Sequence, residues 1–74
     1  MTLVKRSITL HGHRTSLALE PEFWSVIEDH IKRESRSLAS LVAEIDDNRD
    51  PEDPLSSAVR VWVLGIALSG VSEA

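Results

Sequence analysis

The strongest pattern in the chain is an alternation of side-chain type over residues 13–19, which indicates a short β-strand. On one face of this strand lie residues that are apolar or carry a hydroxyl: Thr15, Leu17 and Leu19. On the other face lie residues that are small or polar: Arg14, Ser16 and Ala18. A single strand leaves its backbone N–H and C=O groups without partners, so this segment must pair with another strand.

Two pairings are compatible with the sequence. Residues 7–10 also alternate, and Gly12 suits a turn, so the β segment can form a hairpin over 7–19 within one chain. Alternatively, the strand at 13–19 pairs with the same strand of a second copy. A strand has two edges, so both pairings can coexist. Residues 1–6 are then predicted to be a flexible basic arm.

Three helices are predicted after the strand. The first covers 21–35, because Pro21 suits the first turn of a helix and apolar residues follow at helical spacing. The second covers 37–48, with Ser37 as its N-cap. The third covers 54–69 and is apolar on two opposite sides. Because so small a chain cannot cover both sides, we expect one side to meet a partner subunit.

The length of 74 residues and the absence of cysteine favour one domain over 1–74 that completes its core by association with another copy. No segment is long and apolar enough for a membrane span or a secretory signal, which predicts a cytoplasmic bacterial protein without membrane contact. The net charge is −4, yet no acid precedes Glu20. Only the basic amino-terminal part is therefore suited to approach a polyanion.

Catalysis and metal binding have little support in the sequence. There is no glycine-rich phosphate loop, and no serine stands in a context typical of a catalytic triad, so we predict neither an enzyme nor a cofactor. His11 and His13 share a face of an extended segment but have no obvious third ligand nearby, so no metal site is predicted. Arg60 is the only charge in the third helix, and an ion pair with an acid from another helix is its expected role.

Three segments in order resemble a bacterial subfamily of the ribbon-helix-helix (Arc/MetJ-type) DNA-binding proteins: Gly12 to Ser16, Glu20 to Trp24 and Leu55 to Val61. The resemblance implies a mainly α fold with a short β-ribbon, in which two chains form an intertwined ribbon-helix-helix homodimer with an additional C-terminal helix. Strands from the two chains would then pair antiparallel and enter the major groove of DNA.

The resemblance also implies site residues. The outward residues of the strand are expected to contact bases: Arg14, Ser16 and Ala18. Arginine can bind guanine bidentately, serine can donate or accept, and alanine offers only its methyl group to thymine. The residues expected to contact phosphate are Lys5, Arg6, His13, Ser37 and Leu38. The last two would begin the second helix of the motif. Ser56 and Ser57 offer a second alignment, in which that helix covers 55–69 instead of 37–48.

These features predict sequence-specific or semi-specific binding of double-stranded DNA by a small transcriptional regulator. The expected partners are double-stranded DNA and a second copy, with a higher oligomer possible through the third helix. Ala18 and the net negative charge leave an alternative open. In that alternative the same fold is a protein-interaction module, like an antitoxin or adaptor, with little or no DNA affinity.

Overall fold

The fold is a β-hairpin followed by three helices, in a computed structural model that describes residues 2–72 and the side chains of 2–69. Its elements are β1 (Val4–Leu10), β2 (His13–Leu19), α1 (Pro21–Glu34), α2 (Leu38–Asn48) and α3 (Leu55–Ser72). The mainly helical fold class with a short β-ribbon is confirmed. No helix within the described residues is long and apolar enough to cross a membrane.

The strands β1 and β2 pair antiparallel within the same chain, from Val4 opposite Leu19 to Leu10 opposite His13. His11 and Gly12 form the turn with φ angles of 51° and 81°. Positive φ at both central residues defines a type I′ turn, whose twist matches that of the flanking strands. Between the two compatible pairings, the structure shows the hairpin within one chain.

The hairpin begins earlier than the sequence predicts. β1 starts at Val4, so Lys5 and Arg6 are strand residues, and the prediction of a flexible arm over 1–6 is wrong for residues 4–6. The indole N–H of Trp24 donates to the Val4 carbonyl oxygen at 2.8 Å, which fixes the start of the strand to α1. A basic segment that looks solvated in sequence is therefore held against the body.

Local signals explain where the helices begin and end. Pro21 lies in the first turn of α1. Helix α1 ends at Glu34 and is capped by Ser35, which adopts a left-handed φ of 52° and donates its N–H to the carbonyls of Ile31 and Lys32. The Ser37 side chain accepts a hydrogen bond from the Ser40 amide at 3.1 Å, as expected for the N-cap of α2.

The hydrophobic core lies between the inner face of the hairpin and the three helices. Its buried residues are Ile8, Leu17, Leu19, Trp24, Ile27, Leu41, Val42, Ile45, Val59 and Val63. These residues come from both strands and all three helices, and no buried side-chain N or O atom in the described residues lacks a hydrogen bond. The core is therefore assembled within a single chain.

Helix α3 is apolar on two sides, as the sequence predicts. Val59 and Val63 are buried on its inner side. On the outer side, Val61, Leu64 and Leu68 remain 67%, 55% and 58% exposed. We call these three residues the exposed stripe of α3; they are the most exposed large hydrophobic side chains in the described part of the chain.

Candidate nucleic-acid interface

One face of the hairpin points away from the helices and presents polar and basic side chains. Residues directly opposite each other in an antiparallel pair lie on the same face of the sheet. The register therefore brings together six residues, which we call the ribbon face: Lys5, Ser7, Thr9, Arg14, Ser16 and Ala18. All of them are exposed except Ala18, which is half-buried. The predicted base-contacting set forms the β2 half of this face.

The ribbon face carries two cations and no acid. Within the described residues, neither Lys5 nor Arg14 forms an ion pair with a carboxylate. The nearest acid in sequence, Glu20, is held by Arg60 at 3.0 Å. An exposed surface with uncompensated positive charge attracts polyanions, although the molecule as a whole is acidic.

Arg6 lies on the opposite face of the hairpin. Its guanidinium is 2.7 Å from the Glu28 Oε2 atom and 4.5 Å from the centre of the Trp24 ring. These contacts join β1 to α1 through an ion pair and a cation–π interaction. The expectation that Arg6 contacts phosphate therefore does not match its position, because it faces the body.

The two histidines near the turn have different surroundings. His13 lies opposite Leu10 at the exposed tip of the hairpin. The His11 Nε2 atom is 3.0 Å from Asp47 Oδ1 and 3.5 Å from Asp46 Oδ2, at the far end of α2. The sequence analysis missed this group, because 35 positions separate His11 from Asp46 and no local pattern links them.

His11, Asp46 and Asp47 are the one group in the described residues whose ligand atoms lie close enough to share a metal ion, within 4.8 Å of one another. The Arg49 Nε atom also lies 2.6 Å from Asp46 Oδ1. These contacts join the turn of the hairpin to the end of α2.

The start of α2 presents free backbone amides. Only the Ser40 amide is capped by the Ser37 hydroxyl, so the amides of Leu38 and Ala39 have no acceptor inside the helix. The first turn of α2 contains no acid, which leaves its positive dipole end uncompensated. Helix α2 follows α1 after a short turn, as the alignment of the second helix with 37–48 requires.

Arg60 forms the ion pair that the sequence predicts. Its Nε atom donates to Glu20 Oε1 at 3.0 Å, and its guanidinium lies 5.8 Å from the centre of the Phe23 ring. The pKa of Glu20 lies below its ordinary value of 4.5. The larger cause is a backbone hydrogen bond to its carboxylate, and the smaller cause is the hydrogen bond from Arg60. The pair ties α3 to the junction between β2 and α1, so Arg60 is not free for phosphate.

A two-stranded ribbon followed at once by two helices is the arrangement of a ribbon-helix-helix domain. The family model of the ribbon-helix-helix domain matches residues 3–67, and the chain belongs to this family. Members are in general DNA-binding transcription regulators or antitoxins, and they are typically not enzymes. No curated protein and no solved structure matches the chain.

Proposed function

We propose that the protein binds double-stranded DNA with its ribbon face in the major groove and acts as a small bacterial transcriptional regulator. The single observation that carries the proposal is the exposed, acid-free ribbon face, with the unpaired cation Arg14 near the turn. Membership of a family of DNA-binding regulators supports it. Such a role requires access to the chromosome, and hence a cytoplasmic protein.

The side chains of β2 have distinct roles in this proposal. Arg14 donates to the O6 and N7 atoms of guanine, and the Ser16 hydroxyl donates to or accepts from a base edge. Ala18 contacts a thymine methyl group. Discrimination among sequences therefore rests mainly on Arg14 and Ser16.

The phosphate contacts hold the domain on the duplex. Lys5 lies beside Ala18 at the open end of the ribbon, and His13 lies at its tip. The free amides at the start of α2, with Ser37 and Leu38, can bind one further phosphate. Arg6 has no DNA contact in this proposal, because Glu28 and Trp24 hold it on the opposite face.

The test first selects, from a pool of random duplexes, a duplex that the protein binds. Binding to this selected duplex is then measured by fluorescence anisotropy as a function of salt concentration. Arg14→Ala should weaken binding to the selected duplex by about 5- to 150-fold, the equivalent of one lost bidentate contact. Arg33→Ala is the matched control, because Arg33 is an exposed arginine of α1 away from the ribbon face. Salt-independent or undetectable binding to every duplex would contradict the proposal.

We also propose that the protein acts as a homodimer, as the resemblance implies and as members of the family typically do on DNA. Sedimentation equilibrium at low micromolar concentration measures the state directly. A stable monomer both free and on DNA would refute the dimer while leaving DNA binding itself open to the anisotropy test.

A second candidate function is protein recognition without DNA. The exposed stripe of α3 favours it, together with a surface cavity of about 340 Å³ beside Val61 and Trp62. An apolar patch beside a cavity is a common form of protein interface. Leu64→Glu distinguishes the two functions, because it should abolish partner binding in an antitoxin-like protein and leave single-site DNA affinity intact in a regulator.

A further inference from the structure

We propose that His11 of the hairpin turn, together with Asp46 and Asp47 of α2, forms a binding site for a divalent transition-metal ion such as Zn²⁺. The site lies where the turn of the hairpin meets the end of α2. None of its three residues belongs to the ribbon face, so the inference goes beyond the proposed function and does not depend on DNA binding.

The distances between the three side chains fit a shared ion. The His11 Nε2 atom lies 3.0 Å from Asp47 Oδ1 and 3.5 Å from Asp46 Oδ2. Zinc bonds nitrogen and carboxylate oxygen at about 2.0–2.2 Å, so neighbouring ligand atoms lie about 3–3.5 Å apart in tetrahedral or octahedral coordination. All three residues offer a ligand atom within 4.8 Å of the others. One ion can therefore bond all three side chains after small rotations.

A metal ion satisfies the two carboxylates better than the imidazole does. The Nε2 atom of His11 carries at most one proton, so it can donate a linear hydrogen bond to only one of them. Both aspartates lie in the last turn of α2, which contains no basic residue. The negative end of the helix dipole disfavours acids there and favours cations. A divalent cation between the two carboxylates would neutralise both and complement the dipole.

Arg49 holds Asp46 in place and leaves one carboxylate oxygen for the ion. The Arg49 Nε atom lies 2.6 Å from Asp46 Oδ1, whereas the contact with His11 is made by Oδ2. The Arg49 guanidinium also donates to the Asp53 carbonyl oxygen at 2.7 Å, which fixes it to the loop after α2. Hydrogen bonds of this kind orient a metal ligand and strengthen the site.

The donor set selects the kind of ion. One imidazole nitrogen and two carboxylates suit Zn²⁺ and its first-row neighbours, whereas Ca²⁺ and Mg²⁺ prefer oxygen ligands alone. The side chains of His11 and Asp47 are 51% and 63% exposed, so water can complete the coordination. His13, which is the neighbour of His11 in the sequence pattern, is not part of the group. A bound ion would link the hairpin turn to α2 and stabilise the fold.

The first experiment is isothermal titration calorimetry of Zn²⁺ into the full chain after its metals have been removed with a chelator. We expect one site per chain. His11→Asn, in which asparagine suits the left-handed turn position, and Asp47→Asn should each weaken zinc binding by at least about 10-fold. The matched control is Asp29→Asn, an exposed acid of α1, which should bind zinc as the wild type does. Undetectable binding to the wild type at millimolar zinc, or unchanged affinity in both ligand variants, would overturn the inference.

The second experiment separates a metal site from a set of ion pairs by means of Asp47→His. This change removes a carboxylate from the ion pair with His11 but gives a metal ion another imidazole ligand. Zinc at about ten times its Kd should raise the melting temperature of the wild type and of Asp47→His by about 6–11 °C. It should leave that of His11→Asn unchanged, and Mg²⁺ should shift none of the three. No zinc shift in the wild type, or an equal shift with Mg²⁺, would refute the site.

Discussion

From the position of Arg6 we predict that this arginine stabilises the fold and does not bind DNA. Lys5 and Arg6 are adjacent cations at the start of β1, but successive strand residues point to opposite faces. Lys5 lies on the ribbon face, and Arg6 contacts Glu28 and Trp24. Arg6→Gln should therefore reduce stability, whereas Lys5→Gln should reduce DNA binding.

The size of the Arg6 effect follows from its two contacts. The ion pair with Glu28 is partly exposed, with side-chain exposures of 37% and 45%, so it contributes about 0.2–1 kcal/mol. The cation–π contact with Trp24 adds about 0.5–1 kcal/mol. Together the two contacts contribute about 0.7–2 kcal/mol. At about 4–8 °C per kcal/mol for a domain of this size, the melting temperature should fall by about 3–16 °C.

Two measurements on the same pair of variants provide the test. Thermal unfolding by circular dichroism should show the loss in Arg6→Gln and little change in Lys5→Gln. The slope of log affinity against log salt should fall by about 0.9 in Lys5→Gln and stay unchanged in Arg6→Gln, when measured well below its melting temperature. If Arg6→Gln keeps the wild-type melting temperature and lowers the salt slope, Arg6 is a phosphate ligand and its structural role is refuted.

Three further predictions concern the body of the domain. Leu41 is fully buried, so Leu41→Ala should destabilise the fold by about 2–5 kcal/mol in urea unfolding, and a loss below about 1 kcal/mol would contradict its place in the core. Ser37→Ala should cost about 1 kcal/mol through loss of the cap on the Ser40 amide, and Ser37→Asp should retain most of that stability. The pKa of Glu20 is lowered by its backbone hydrogen bond and by Arg60, so its stabilising effect is present above pH 4.5 and is lost as pH falls through the lowered pKa. Melting temperatures from about pH 6 to about pH 2 should therefore fall less steeply in Glu20→Gln than in the wild type, and parallel curves would refute the linkage.

Much of the fold follows from local signals in the sequence. Pro21 marks the start of α1 and Ser37 the cap of α2, and both lie where the sequence predicts. The alternation over 13–19 correctly assigns Leu17 and Leu19 to the core and Arg14 and Ser16 to the exposed face. The periodicity of apolar side chains and the capping of helices depend on residues a few positions apart, so a single sequence is enough to locate strands and helix ends.

Contacts between distant segments have no such local signals. The sequence shows Lys5 and Arg6 as one basic run, and their roles differ only because both belong to β1, which pairs with β2 and packs one face against α1. The approach of His11 to Asp46 likewise depends on how the turn packs against α2. Neither contact can be predicted from neighbouring residues, since each depends on the relative position of two elements that is set by the whole core.

The strand partner of β2 cannot be predicted from local signals alone, because the alternation of β2 suits both a strand of the same chain and a strand of a second copy. The turn decides between them. His11 and Gly12 adopt the positive φ angles that a two-residue type I′ turn requires, and this turn brings β1 beside β2 at the small entropic cost of closing a short loop. Pairing with a second copy must first overcome an association cost of about 4–15 kcal/mol. Pairing within one chain therefore costs less than pairing with a second copy. A second copy can add strands to the hairpin or bind elsewhere, but it has to displace seven formed residue pairs to replace β1.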